Sequence, residues 1–333
     1  MSAGPDAHVA VIIPCFNVAE HIRDVVAGVP PQIRTIVTVD DGSRDGTRAA
    51  LEALTDPRVI RVYRERNGGV GAATRTGYAV ALERGADVCV KMDGDGQMVG
   101  ADLPRLLAPV LRGQADYAKG NRFRDFNALR RMPLVRLVGN GVLSFLNKLV
   151  CGYWSILDPT NGFTAIRADV LLRLNTVRLH PRYFFETSLL IELNIVGAVV
   201  RDVDLPARYG DERSSLNVAR VMLQFPILQL RGLARRFVWR YVLGDFNVLT
   251  LCVLTGVPAV TFGAVFGGYQ WWSSVATGVP ATAGTAFVAA LPIILGFQCL
   301  LVALVLDMLY EPKRPLHPSL EEEPDDPPLL PAP

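Results

Sequence analysis

The chain has 333 residues, 50% of them apolar, and a formal net charge of +2. That length allows one large or two modest domains, and the near-neutral charge excludes a chain that is basic throughout. The five cysteines, at 15, 89, 151, 252 and 299, form neither a paired metal spacing nor a disulfide framework.

Met1 to His8 is short and polar, without the basic start and apolar core of a signal peptide, so the first domain is expected in the cytoplasm. Val9 to Ile13 is an apolar run closed by Pro14, the pattern of a strand in a buried parallel sheet. Asn17 is expected to cap a helix over Val18 to Val29, ended by Pro30-Pro31. Ile33 to Val39 is the second strand and runs into Asp40-Asp41-Gly42-Ser43. Ser43 or Asp45 caps a helix near Thr47 to Leu54. Val59 to Tyr63 is the third strand. The turn Asn67-Gly68-Gly69-Val70-Gly71 opens a helix to about Gly85, and Val88 to Met92 is the fourth strand. This βα alternation predicts a mostly parallel sheet with right-handed crossovers.

The fourth strand ends in Asp93-Gly94-Asp95-Gly96-Gln97. Two carboxylates at the C-terminal edge of a sheet stand where open α/β sheets place ligands. With no Cys or His beside them they suit Mg²⁺ or Mn²⁺; a plain surface turn is the competing reading, because Asp and Gly are common turn formers. The second strand's Asp40 and Asp41 suit a base or ribose, or, for Asp41, a favourable charge at a helix N-terminus. The Gly68–Gly71 stretch has neither the spacing nor the position of a dinucleotide fingerprint, and no P-loop is present.

Asp102 starts a further helix with Pro104 in its first turn, and Tyr117 to Gly120 is a short strand. Arg122, Arg124, Arg130, Arg131 and Arg136 form a basic cluster that suits phosphates or an anionic membrane surface; Arg122, just after the strand, is the first choice for phosphate. Leu134 to Val150 is helical, and Asp158-Pro159-Thr160-Asn161-Gly162-Phe163 is a turn-rich loop. Phe184 to Val196 is a helix carrying Glu186 and Glu192. Val199 to Leu205 is a late strand, followed by a polar loop from Arg208 to Ser215.

From Leu216 the arginines at 220, 231, 235, 236 and 240 interleave with apolar residues, as in a pair of basic amphipathic helices at a membrane interface, with Pro226 bending or dividing it. No charged residue occurs from Phe246 to Leu306. Phe246 to Tyr269 and Ala286 to Tyr310 each reach the ~20 residues that a span needs, and Gln270-Trp271-Trp272 between them suits an interfacial aromatic belt. Arginines before the first span and Lys313-Arg314 after the second put both flanks in the cytoplasm by the positive-inside rule. The acidic, proline-rich tail is expected to be disordered. The arginines track the membrane-proximal region, so nucleic acid is not an expected partner.

Val-Ile-Ile-Pro at 11–14, Asp40 to Ser43 with Asp45-Gly46-Thr47, Asn67-Gly68-Gly69, Asp93 to Gln97, Gly120-Asn121-Arg122 and Asp158 to Phe163 together resemble the polyprenyl-phosphate glycosyltransferases. These are relatives of dolichol-phosphate mannosyltransferase in the inverting glycosyltransferase family 2. The resemblance covers about residues 9 to 216. It implies a cytoplasmic GT-A catalytic domain at 1–215, basic interface helices at 216–245, two transmembrane helices with a short non-cytoplasmic loop at 246–310, and a cytoplasmic tail at 311–333, in the inner (plasma) membrane. It implies a nucleotide-diphosphate sugar donor, a polyprenyl-phosphate acceptor and Mg²⁺ or Mn²⁺. Asp40 and Asp41 match the nucleotide-binding pair, with Pro14, Asn17, Asn67 and Gly69 beside them. Asp93 and Asp95 match the acidic motif, Asp95 as the direct metal ligand and Gln97 as its helper. Arg122 matches an arginine near the donor and acceptor phosphates. Arg208 and Arg213 stand where the family places phosphate contacts, although Ser214 is followed by Ser215 where the family has lysine. A membrane-anchored transferase with another acceptor would need a general base, with Asp158 or Glu186 as candidates. A non-catalytic scaffold is the remaining alternative, and a homo-oligomer is compatible with every reading.

Overall fold

The computed structural model describes the backbone of residues 6–121, 134–205 and 218–316, and their side chains except at 134–140, 142 and 218–223. Arg122, Arg208, Arg213 and the tail beyond 316 therefore lie outside the described residues. The chain divides into two compact units; the first reaches to Gly232 and resumes at Pro312, and the second is Leu233–Glu311.

The first unit is built on a mixed seven-stranded sheet. Strand β1 (Val9–Cys15) is buried along its whole length, which is why it carries apolar residues on both faces rather than alternating. It lies between β2 (Thr35–Asp40) and β4 (Val88–Lys91), parallel to both. β3 (Val59–Tyr63) pairs outside β2. The connections are α1 (Ile22–Ala27), α2 (Thr47–Glu52) and α3 (Val70–Glu83). Helix α3 lies close on β1: a Cβ at Gly77 would stand 2.3 Å from the Ile12 side chain, so only glycine permits the contact. Because β2 and β4 flank β1 on opposite sides, the sheet has a topological switch point beside the C-terminal end of β1, where such sheets bind ligands.

The other half of the sheet follows α4 (Leu103–Leu111) and comprises β5 (Tyr117–Asn121), β6 (Thr164–Arg167) and β7 (Val200–Asp204), in the order β4-β6-β5-β7. β6 runs antiparallel to both of its neighbours. The sequence reading has no strand at β6. Four residues directly after a turn-rich loop carry too short a pattern to separate from the loop. Helices α5 (Leu134–Cys151), α6 (Ala168–Arg173) and α7 (Phe185–Val196) complete this unit's second half.

Asn17 does not cap a helix. It adopts a left-handed conformation, φ 55°, and its Oδ1 accepts from the Arg44 amide at 3.0 Å. The helix expected from Val18 begins only at Ile22, because residues 17–21 are used to join the β1 and β2 loops. Helix α8 (Val218–Arg236) contains Pro226 without dividing, and it continues into a wider π-helical turn, Phe237–Val242. One helix thus replaces the expected pair.

In the second unit, α9 (Val248–Thr277) and α10 (Ala283–Leu309) form a hairpin, and both are long and apolar enough to cross a membrane. Trp271 and Trp272 lie inside α9, not between the helices. Residues 269–277 contain neither Gly nor Pro, and the helix ends at Gly278, φ 70°, so the connection is only 278–282. Thirty residues make a helix of about 45 Å, longer than the ~30 Å hydrocarbon core. The exposed tryptophans near its end therefore fit an interfacial position. Small residues allow the two helices to approach: a Cβ at Gly256 would stand 2.9 Å from the Gly296 carbonyl, and one at Gly263 2.6 Å from that of Ala289, the usual device for helix pairs in lipid. Asp307, inside the expected second span, is buried and accepts from Arg236 Nη1 and Nη2 at 2.7 and 3.0 Å and from the Tyr241 hydroxyl at 2.6 Å.

Candidate active site

The C-terminal ends of β1, β2 and β4 open onto one cleft of about 340 Å³. Pro14 lines it from β1 and Phe16 from just after it, Asp41 from just after β2, Asn67 and Gly69 from the glycine-rich turn, and Asp93 and Asp95 from the turn after β4. The register places Cys15 beside Asp40, so the two strand ends are level. Burial pushes the Cys15 thiol pKa far up, with Asp40 adding to the effect.

Asp40 and Asp41 are both buried, and their carboxylates hold the loops that shape the cleft. Asp40 Oδ1 accepts from the Ser43 amide at 3.0 Å. Asp41 accepts from the Gly68 amide at 3.1 Å, from the Gly69 amide at 2.6 Å, and from the Arg64 guanidinium. Gly69 needs φ 97° and has Pro181 and Arg182 against it, where a Cβ would stand 2.7 Å from each. The turn is thus braced on one side by Asp41 and on the other by the 180–183 loop, which contributes Arg182 and Tyr183 to the cleft wall. Asn17 stands beside the cleft, with its amide on the Ser43 hydroxyl at 3.0 Å.

In the acidic motif, Asp95 Oδ1 accepts from the Gln97 amide at 3.0 Å, which tightens the turn. Asp93 Oδ1 is 2.7 Å from Lys91 Nζ, and the same ammonium is 3.2 Å from Glu186 Oε1. Lys91 is almost wholly buried. Burial opposes its charge, but the two carboxylates outweigh burial and raise its pKa. The Asp158–Phe163 loop lies against this cluster, for a Cβ at Gly162 would stand 2.5 Å from Lys91 Nζ and 2.8 Å from Asp93 Oδ2. A second buried lysine, Lys119 on β5, donates to the carbonyls of Asp158 and Asn161; burial lowers its pKa, against the pull of nearby carboxylates led by Asp158.

The structure thus brings Pro14, Asp41, Asn67, Gly69, Asp93 and Asp95 to one cleft. Asp158, at the start of the loop, is fully buried, and Glu186 is paired with Lys91, so neither stands as an open carboxylate facing the cleft. The sequence alone does not single out Lys91, Lys119, Arg182 or Tyr183. The two lysines had a signal, each being a charge inside an otherwise buried strand; Arg182 and Tyr183 had none. Among the described residues no group of three or more His, Cys, Asp or Glu could hold a metal ion alone. Two carboxylates on the cleft suit a hard cation whose remaining ligands come from phosphate and water.

Residues 10–174 match the model of glycosyl transferase family 2. The UDP-N-acetylglucosamine–dolichyl-phosphate N-acetylglucosaminyltransferase of Methanococcus voltae is 32% identical over 54% of this chain and 76% of its own. The polyprenol monophosphomannose synthase of Mycolicibacterium smegmatis is 36% identical over 56% of this chain and 71% of its own. Among solved structures, the glucosyl-3-phosphoglycerate synthase of Mycobacterium tuberculosis, in complex with Mn²⁺, UDP-glucose and phosphoglyceric acid, superposes with a TM-score of 0.52 at 21% identity. That match covers 70% of this chain and 81% of that one, and it shows a shared fold.

Proposed function

This chain belongs to glycosyl transferase family 2, and from that premise we propose that it transfers a hexose from a nucleotide sugar to a polyprenyl monophosphate, with inversion. The observation that carries the reading is the single cleft onto which Asp41, Asn67, Asp93 and Asp95 open, in a chain that also carries a hairpin of two membrane-length helices. The named activities of the relatives, which join a sugar to dolichyl phosphate or to polyprenol monophosphate, support it.

In this reading Pro14, Asn17, Asp40, Asp41, Asn67 and Gly69 form the nucleotide end of the site. Asp95, Gln97 and Asp93 hold Mg²⁺ or Mn²⁺, which when bound neutralises charge on the departing nucleoside diphosphate. Arg122, Arg208 and Arg213 hold the acceptor phosphate against its repulsion by the donor. A phosphate oxygen of the lipid attacks the anomeric carbon with its own electron pair, a new C–O bond forms, and the C–O bond to the donor breaks with its electron pair leaving on the terminal phosphate oxygen of the nucleoside diphosphate. The nucleophile is already an anion, so no side chain has to remove a proton. The burial of Asp158 and the pairing of Glu186 with Lys91 agree with a site that has no dedicated base.

The hairpin anchors the enzyme in the plasma membrane with the catalytic domain on the cytoplasmic side, and the tail of the lipid acceptor stays in the bilayer. Incubating the purified enzyme with polyprenyl monophosphate and a panel of UDP- and GDP-sugars, then weighing the lipid product, tests the reaction. A mass gain of one hexose or its N-acetyl derivative supports it, and no lipid product with any donor contradicts it. Cysteine labelling from each side of sealed vesicles tests the topology: residues near 10 and 313 should label from inside and 278–282 from outside. Labelling of both sets from one side would defeat it.

A further inference from the structure

Lys91 joins three segments that are far apart in sequence. Its Nζ reaches Asp93 at the end of β4, Glu186 in the first turn of α7, and, at 3.4 Å, the Gly162 carbonyl in the loop before β6. A strand buried on both faces has no reason to carry an ammonium unless the charge is paired, because desolvation is costly. Of the three partners, Asp93 lines the cleft, while Glu186 and Gly162 anchor α7 and the loop before β6 to it through the ammonium. Gly162 closes against both Nζ and Asp93 Oδ2 with no room for a Cβ. Without the ammonium, the Asp93 and Glu186 carboxylates would face the same space with no counter-charge.

Lys119 provides an internal comparison. It enters from β5, on the far side of β6, and reaches the same loop through the Asp158 and Asn161 carbonyls. Among the described residues, its ammonium donates to these two carbonyls and not to the acidic motif. The loop is therefore fastened from two strands, and only one of the fastenings also holds Asp93.

We propose that Lys91 is a positioning residue: its ammonium fixes the Asp93 carboxylate and latches the 158–163 loop and the head of α7 around it, presetting the acidic motif for a divalent cation and diphosphate. The proposal rests on the function proposed above. Lys91 touches neither donor nor cation in this account and acts through Asp93. Groups that orient the ligands of a metal are worth roughly 10–100-fold in metal affinity.

The test uses the full-length protein in detergent with Lys91→Met/Glu186→Gln, Glu186→Gln, Lys119→Met and Gly162→Ala. The double variant removes one positive and one negative charge together, so long-range attraction for a cation is unchanged and only the anchoring is lost. Two readouts are taken. Hydrogen exchange on metal-free protein reports the 93–97 and 158–163 segments, and Mn²⁺ resonance titration with UDP, and in parallel with GDP, reports cation affinity. The double variant should exchange faster in both segments and bind Mn²⁺ about tenfold more weakly. Glu186→Gln alone should bind Mn²⁺ nearly as the wild type does. Lys119→Met should loosen 158–163 while leaving both Mn²⁺ affinity and exchange at 93–97 near wild type. Gly162→Ala, which alters no charge, should repeat the double variant's signature and keeps the test open if the double variant fails to fold. Wild-type exchange at 93–97 and wild-type Mn²⁺ affinity in the double variant, or in Gly162→Ala, would overturn the latch. So would an equal loss of Mn²⁺ affinity in Lys119→Met. Failure of the wild type to bind Mn²⁺ with either nucleotide would sink the proposed function instead, and the exchange data would still decide the latch.

Discussion

Asp41→Ala separates a residue that builds the cleft from one that only touches the donor. In the structure its carboxylate is 3% exposed and meets the Arg64 guanidinium as well as the Gly68 and Gly69 amides. Truncation leaves two backbone donors and a guanidinium without their acceptor. Breaking a fully buried pair costs roughly 3–5 kcal/mol. Arg64 is 26% exposed and recovers part of its hydration, so about 2–3 kcal/mol is expected here. For a unit of this size that corresponds to a fall in Tm of roughly 4–12 °C. Thermal unfolding in detergent measures the fall, and UDP and GDP binding by calorimetry measures the site. Both should drop, because the glycine turn that lines the cleft loses its brace. Lost nucleotide binding with an unchanged Tm would refute the reasoning and make Asp41 a direct ligand with no structural duty.

Three further outcomes follow from the same geometry. Asp95→Asn should keep the wild-type Tm, weaken Mn²⁺ binding and remove most turnover; near-normal turnover with unchanged cation dependence would take Asp95 out of the metal site. Asp307→Ala removes the carboxylate that the buried Arg236 guanidinium donates to and should cost roughly 3–5 kcal/mol, read as thermal unfolding in detergent, whereas Arg236→Met/Asp307→Leu should recover most of it; equal losses in both would show that the pair contributes little. His180 has its pKa lowered from 6.5, by burial first and by Arg182, against a backbone hydrogen bond that raises it. Its neutral form is therefore favoured by folding, and its contribution is full above about pH 6.5 and is lost as pH falls through the lower folded value. The drop in Tm between pH 7.5 and 5.5 should shrink in His180→Gln, and an unchanged slope would exclude this group.

The first half of the fold was legible because its strands are apolar on both faces and end in turn residues. Val59 to Tyr63 matches β3 residue for residue, and the strand ends carrying Asp40 and Asp93 fall where the pattern puts them. What the pattern missed depends on partners distant in sequence. Asn17 is a good cap by residue type, but the Arg44 amide and Ser43 hydroxyl engage it instead. β6 is set by pairing with β4 and β5, and its four residues carry no period of their own. Pro226 removes one hydrogen bond from α8 without ending it. Lys91 and Lys119 break the apolar pattern of their strands, yet no pattern says which carboxylate or carbonyl each will meet. The charge-free run ends at Leu306, and Asp307 just beyond it gains its meaning from Arg236 and Tyr241, 71 and 66 positions away. The cleft itself was legible as the ends of three strands; its second wall at 180–183 was not, because that loop reaches it through tertiary packing alone.

The central claim is the acceptor. The purified enzyme, given one donor and Mn²⁺, is offered polyprenyl monophosphate, the matching polyprenol and the matching diphosphate, and the lipid products are separated and weighed. The proposed site, which relies on an anionic nucleophile, should glycosylate the monophosphate and leave the alcohol essentially untouched, because the alcohol would need a base to take its proton. Arg122→Ala should reduce use of the monophosphate more than it weakens nucleotide binding, by roughly 2–5 kcal/mol if the phosphate is fully desolvated. Product from the alcohol or the diphosphate at rates matching the monophosphate would contradict the assignment.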